Sequence, residues 1–148
     1  MSESQPGGYA GDVSASSAWD SLAASADATL IDVRSKAEWT YVGVPVLTSI
    51  AKPTVLVEWD EFPSGRLVPD FIGRLGAELD RLGVKKDAPL YFICRSGSRS
   101  RHAAIAATGA GYGKAFNVEF GFEGRLDADR HRGTKGSWKE EGLPWAQS

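Results

Sequence analysis

The run Pro89-Leu90-Tyr91-Phe92-Ile93-Cys94 most constrains what this chain can fold into. It is nearly continuous in apolar residues, too short for a core helix, and bounded by a proline. That is the pattern of a strand covered on both faces, and such strands belong to parallel sheets with helices packed over them. Ala28 to Val33, Thr54 to Trp59 and Lys114 to Glu119 read as further strands. Helical patterns alternate with them. Ser14 to Ser25 carries Ala18, Trp19, Leu22 and Ala26 at helical spacing, with Ser14 or Ser16 as cap. A brief helical turn is expected around Ser35 to Trp39. Pro69 to Leu82 places Phe71, Ile72, Leu75, Leu79 and Leu82 on one stripe, with Pro69 at the first helical position and Gly83 as the stop. Ser100 to Gly111 is a helix of small residues. Strands alternating with helices predict an α/β domain with a central, mainly parallel sheet flanked by helices on both faces.

A length of 148 residues suits one domain. Residues 1–12 read as a flexible tail and 13–148 as the domain, with Pro63, Ser64 and Gly65 marking a loop. The stretch from Phe120 to Ser148 is Gly-rich and is expected to pack back on the body through Trp138 and Trp145, where it is a candidate cap for the site. Seventeen Lys+Arg against nineteen Asp+Glu give a formal charge of −2, which offers nothing to attract nucleic acid or an anionic membrane. No apolar run approaches the ~18 residues of a membrane span. Met1 to Gly11 lacks the basic start and apolar stretch of a signal peptide, so a cytoplasmic address is expected.

Cys94 is the one cysteine, so an intrachain disulfide is ruled out, and His102 and His131 have no ligand-like spacing with it. No metal and no cofactor are expected. A lone cysteine is more often a small buried hydrophobe than a nucleophile. The residues that follow, Arg95-Ser96-Gly97-Ser98-Arg99-Ser100, reverse that expectation. They lie between a buried strand and a helix, where ligands bind in open α/β sheets. Unpaired N–H groups and the helix dipole favour negative charge there. Gly97 lets the backbone curl into an anion-binding nest, the serines add donors, and Arg95 and Arg99 add positive charge. Every one of these features favours thiolate over thiol, and the thiolate is the nucleophile. His102, one turn into the helix, reads as an ordinary helix residue. Trp39, Trp59 and Trp145 read as packing residues.

With Leu30-Ile31-Asp32-Val33-Arg34, Cys94 to Ser100, Gly121-Phe122-Glu123-Gly124 and Gly142-Leu143-Pro144-Trp145 taken together, the chain resembles the single-domain rhodanese (sulfurtransferase) family from about Val13 to Trp145. The resemblance implies a rhodanese-like fold and covalent catalysis in two steps. Cys94 takes sulfane sulfur from a donor such as thiosulfate, becomes a persulfide, and yields it to cyanide or a thiol. It implies that Asp32 and Arg34 support the cysteine loop through charged hydrogen bonds, that Arg99 pairs with a carboxylate, and that Arg95 receives an anionic donor. The partners so implied are small sulfur donors and acceptors, or a thiol-bearing acceptor protein. One segment departs from the family pattern: Tyr41-Val42-Gly43-Val44-Pro45-Val46 has the Gly-x-Pro spacing without the family's usual histidine.

Two other readings compete. Cys-dependent phosphatases and arsenate reductases can look similar, but phosphatase loops place five residues between Cys and Arg. Here four separate Cys94 from Arg99, and Ile93 stands where many such enzymes have histidine. A persulfide carrier or sensor that exchanges sulfur only with a dedicated partner would need the same loop as the enzyme.

Overall fold

The computed structural model describes residues 8–126, 128–132 and 136–147. Five parallel strands form the central sheet: β1 (Gly11–Val13), β2 (Thr29–Asp32), β4 (Thr54–Leu56), β5 (Leu90–Ile93) and β6 (Ala115–Val118), in the order β1-β6-β5-β2-β4. The helices are α1 (Ala15–Ala24), α2 (Lys36–Tyr41), α3 (Phe71–Arg81) and α4 (Ser98–Gly109). A small antiparallel pair, β3 (Val44–Pro45) with β7 (Trp145–Ala146), lies apart from the sheet.

Period-two alternation sorts the strand residues between two cores. Ile31, Val33, Leu90, Phe92 and Cys94 face α3 and α4, where Phe71, Leu75, Leu79, Ala103, Ala104 and Ala107 are buried. Leu30, Tyr91 and Ile93 face the other way, against Ala15, Ala18 and Leu22 of α1 and against Phe122 and Trp138. The helices thus cover both faces of the sheet. Each fully buried Leu, such as Leu75 or Leu79, contributes roughly 1.5–3 kcal/mol. The run of alanines in α4 brings that helix close to β5, so its first turn stands over the end of the strand.

The connections decide where a site can form. From β2 the chain passes through α2 to β4 on one side, and from β5 it passes through α4 to β6 on the other. The adjacent strands β2 and β5 therefore feed in opposite directions, and a crevice opens outside their carboxyl ends. Asp32 ends β2 and Cys94 directly follows β5.

Local chemistry sets the element boundaries. Ser14 caps α1 by accepting from the Ser17 N–H. Pro69 does not open α3: Asp70 adopts a left-handed conformation (φ 58°), accepts from the Gly73 N–H, and starts the helix at Phe71. The helix α4 begins at Ser98, two residues earlier than the small-residue pattern indicates, because Gly97 at φ 104° turns the chain into it. The reading of residues 1–12 as a flexible tail needs correction at its end. Residues 1–7 lie outside the described residues, but Gly11 and Asp12 belong to β1 and pair with Phe116 and Asn117. The strand expected over Thr54 to Trp59 ends at Leu56, although Val57 and Trp59 still donate to the Asp32 and Val33 carbonyls.

The C-terminal segment covers the α1 side. Trp138 is fully buried, meets Trp19 edge-on, and donates from Nε1 to the Pro144 carbonyl. Trp145 meets Phe122 edge-on.

Candidate active site

Cys94 leaves β5 directly below the first turn of α4. Its Sγ accepts the Gly97 N–H at 3.1 Å and lies 3.1 Å from the Ser100 hydroxyl. Cys94 and Ser100 are buried. Because the first N–H groups of a helix have no intrahelical acceptor, the start of α4 presents donors and a positive dipole end toward the sulfur. The close curl from Cys94 to Gly97 needs glycine twice over. Its φ lies in the left-handed region, and a Cβ there would collide with the Glu119 carbonyl.

A second segment grips the loop from outside. The Phe122 N–H donates to the Cys94 carbonyl at 2.8 Å, and the N–H groups of Glu123 and Gly124 both donate to the Arg95 carbonyl, at 2.9 and 3.1 Å. Gly121 permits this approach: a Cβ on it would stand 2.5 Å from the Cys94 carbonyl oxygen.

Arg99 turns away from the sulfur. It binds both oxygens of Glu38 and approaches Asp60 at 3.4 Å, tying the first turn of α4 to α2. Glu38 also caps α2, where Ser35 and Glu38 form a reciprocal capping box. Burial pushes the Glu38 carboxyl up, but the Arg99 hydrogen bond, the Ser35 N–H and the Arg99 charge outweigh it and hold the group down at about 2. The Glu38 hydrogen bond holds the Arg99 guanidinium above its usual value against the opposing effect of burial. Arg95 is exposed, and its guanidinium forms no ion pair among the described residues. A cavity of about 420 Å³ lies beside the loop, with Arg95 and Arg99 on one wall and Glu38, Asp60, Phe62 and Glu123 around it. Among the described residues, Glu123 is the member of the 120–148 segment that lines it.

The remaining candidates divide. Ser98 is exposed and its carbonyl contacts Nδ1 of His102, itself exposed on α4; Ser96 is half-buried in the turn. Asp32 and Arg34 are both fully buried and pair with each other, at 2.7 Å from Nη2 to Oδ2. Their bonds do not run to residues 94–100. Arg34 donates to the Gly43 carbonyl at 2.6 Å, and its guanidinium stacks 4.3 Å over the Phe122 ring. The pair therefore reaches the cysteine loop through Phe122, whose N–H holds the Cys94 carbonyl. It also fixes the segment that lacks the histidine, where β3 pairs with β7.

Glu38, Asp60 and Asn117 were not among the residues singled out from the sequence. Ser35-Lys36-Ala37-Glu38 has the spacing of a capping box, which would have marked Glu38. Asn117, a polar residue inside the strand Ala115–Val118, is buried and bonded to the Ser100 hydroxyl at 2.6 Å.

The sequence model of the Rhodanese-like domain matches residues 14–127, a span that includes both Asp32 and the whole cysteine loop. The chain belongs to the rhodanese-like family. An uncharacterized protein of Rickettsia conorii is 35% identical over 128 residues, which are 86% of this chain and 90% of that protein. The crystal structure of Rv0390 from M. tuberculosis is similar at 44% identity with a TM-score of 0.83, covering 95% of this rhodanese-like chain and 99% of that one. The polysulfide-sulfur transferase homodimer of Wolinella succinogenes shares the fold, with a TM-score of 0.59 at 24% identity over 93% of this chain and 78% of that one. Among the described residues, no helix is long and apolar enough to cross a membrane.

Proposed function

We infer that this rhodanese-like protein is a sulfurtransferase that carries sulfane sulfur on Cys94 from a donor such as thiosulfate to a thiophilic acceptor, cyanide or a thiol. The observation that carries the reading is the setting of Sγ, at the mouth of α4 with the Gly97 N–H aimed at it. In the first step the Cys94 thiolate attacks the outer sulfur of thiosulfate. An S–S bond forms to Sγ, the S–S bond of thiosulfate breaks, and sulfite departs with the electron pair. In the second step the acceptor attacks the outer sulfur of the persulfide and Cys94 leaves as thiolate. With cyanide the product is thiocyanate. The N–H groups between Arg95 and Ser100 stabilise the sulfur anions, and Arg95, free of ion pairs among the described residues, receives the donor's anionic end. A thiol that must stay reduced between turnovers fits the cytoplasm.

The position of Arg99 weighs against phosphatase or arsenate reductase chemistry. Such an enzyme needs its arginine turned into the loop to hold an oxyanion, whereas Arg99 is committed to Glu38 and Asp60. The carrier reading keeps one observation in its favour. Phe62 is 69% exposed at the cavity beside the loop, a surface suited to a protein acceptor.

Thiocyanate formation from thiosulfate and cyanide, measured beside Cys94→Ser, tests the proposal. Turnover that disappears with the cysteine supports it. Absence of turnover in a folded, reduced wild type, together with no gain of a sulfur atom on Cys94 after thiosulfate treatment, would overturn it.

A further inference from the structure

We propose that Asn117 is a positioning residue that holds the single hydroxyl proton of Ser100 away from Cys94, and so sets how readily the resting thiol becomes a thiolate. The inference rests on the reading of Cys94 as the reactive group. It follows from donor and acceptor chemistry in a chain of polar groups that runs from the exposed Asp12 of β1 to the buried Asn117, Ser100 and Cys94.

The orientation of the Asn117 amide is forced. Its Nδ2 lies 3.0 Å from Oδ1 of Asp12 and 3.2 Å from the Gly97 carbonyl. A carbonyl only accepts and an ionised carboxylate only accepts, so the amide nitrogen must face them. Asp12 in turn accepts from the Tyr9 hydroxyl at 2.7 Å. The opposite end of the amide, Oδ1, then faces Ser100 Oγ at 2.6 Å, and an amide oxygen has no proton to give. The Ser100 hydroxyl carries one proton, and that short bond uses it. What Ser100 turns toward Sγ at 3.1 Å is therefore a lone pair. A lone pair there accepts the S–H of a thiol and repels a thiolate. The buried sulfur receives only the Gly97 N–H from this group of residues. When the thiol proton leaves to solvent, the Ser100 hydroxyl must rotate from Asn117 to Sγ, or the thiolate loses that donor.

Charged groups stand on the elements around this crevice. Arg99 of α4 is tied to Glu38 of α2 and to Asp60, the Asp32–Arg34 pair lies at the end of β2, Asp12 sits in β1, Arg95 is in the loop, and Arg101, Glu119 and Arg125 line a pocket with Asp12 and Gly97. Of these, a neutral change at position 117 touches Asp12 alone, which loses the amide donor and keeps the Tyr9 hydroxyl, and the Ser100→Ala background separates that effect from the hydroxyl proton.

The test is the pH profile of Cys94 alkylation by iodoacetamide, which needs no sulfur donor and stands apart from the thiocyanate assay. In Asn117→Leu the freed hydroxyl donates to the thiolate. The midpoint of the profile is expected to fall by about one pH unit, which is roughly tenfold more thiolate below the midpoint. Asn117→Ala serves in the same way should the leucine variant not fold. In a Ser100→Ala background the same substitution at Asn117 is expected to move the midpoint no further. An unchanged or raised midpoint in a folded Asn117 variant overturns the proposal. So does a shift that persists without Ser100, because Asn117 would then act by some route other than that proton.

Discussion

Both oxygens of Glu38 are held by Arg99, at 2.7 Å from Nη1 and 2.9 Å from Nη2, in a pairing that joins α2 to the first turn of α4. The two side chains are 18% and 22% exposed, so solvent weakens the pair without abolishing it. The Glu38 carboxyl, held at about 2 against an ordinary 4.5, is lower in the folded protein than in the unfolded chain. Its stabilisation is therefore complete above pH 4.5 and is lost as pH falls toward 2. Glu38→Gln is expected to cost about 1–2 kcal/mol at pH 7, seen as a melting temperature lower by roughly 3–6 °C. The gap between wild type and variant should narrow steadily between pH 4.5 and pH 2, as followed by urea melts across that range.

The curl at Gly97 gives a sharper prediction. Alanine there must hold φ near 104° and place a Cβ against the Glu119 carbonyl, which is backbone and cannot swing aside. Gly97→Ala is expected to destabilise the fold by at least about 1–3 kcal/mol and to remove most of the Cys94 reactivity. Urea midpoints and the rate of alkylation at fixed pH measure the two effects. Gly65→Ala, at a positive φ with open space around it, should show the backbone strain alone and leave Cys94 reactivity intact.

The features written in local spacing were legible in the sequence. The apolar run ending at Cys94, the stripe of Leu75 and Leu79, and the Ser14 cap all depend on residues within a turn or two of each other. What spacing alone did not reveal depends on distant partners. Gly11–Val13 is a strand only because β6 offers an edge to it; three residues beginning with glycine carry no periodic signal. Asn117 looks like an ordinary interruption of a strand until Asp12, Gly97 and Ser100 are brought around it. Arg99 is legible as a loop cation, but its commitment to Glu38 across α2 appears only once the crevice between β2 and β5 has closed. The Asp32–Arg34 pair was visible as a motif, whereas its reach through Gly43 and Phe122 was not.

That pair is wholly buried, which sets the scale of its removal. Asp32→Asn leaves the Arg34 charge without its counter-ion in a site shut off from water. The expected loss is roughly 3–5 kcal/mol, read from urea unfolding. Arg34→Lys should also be destabilised, because an ammonium cannot reproduce the fork to Asp32 and the stack on Phe122. The exposed Arg81–Glu78 pair is the control, and Glu78→Gln should leave the unfolding midpoint unchanged.

Arg95 and Arg99 are both loop arginines, but their surroundings differ, and kinetics can separate the roles proposed for them. Arg99 spends its donors on Glu38 and Asp60, so its removal should loosen the loop and lower turnover with every donor. Arg95 is exposed and without an ion pair among the described residues, so the charge it offers is available to substrate. Arg95→Gln is expected to raise KM for thiosulfate about tenfold, the loss of one charge-assisted contact, with kcat and the melting temperature nearly unchanged. A neutral persulfide donor should be used equally well by variant and wild type. Added salt should weaken thiosulfate use in the wild type more than in the variant, because screening acts on the contact that the variant no longer makes. Equal KM values for thiosulfate in the two proteins would remove Arg95 from substrate binding and leave the loop N–H groups as the only receivers of the anion.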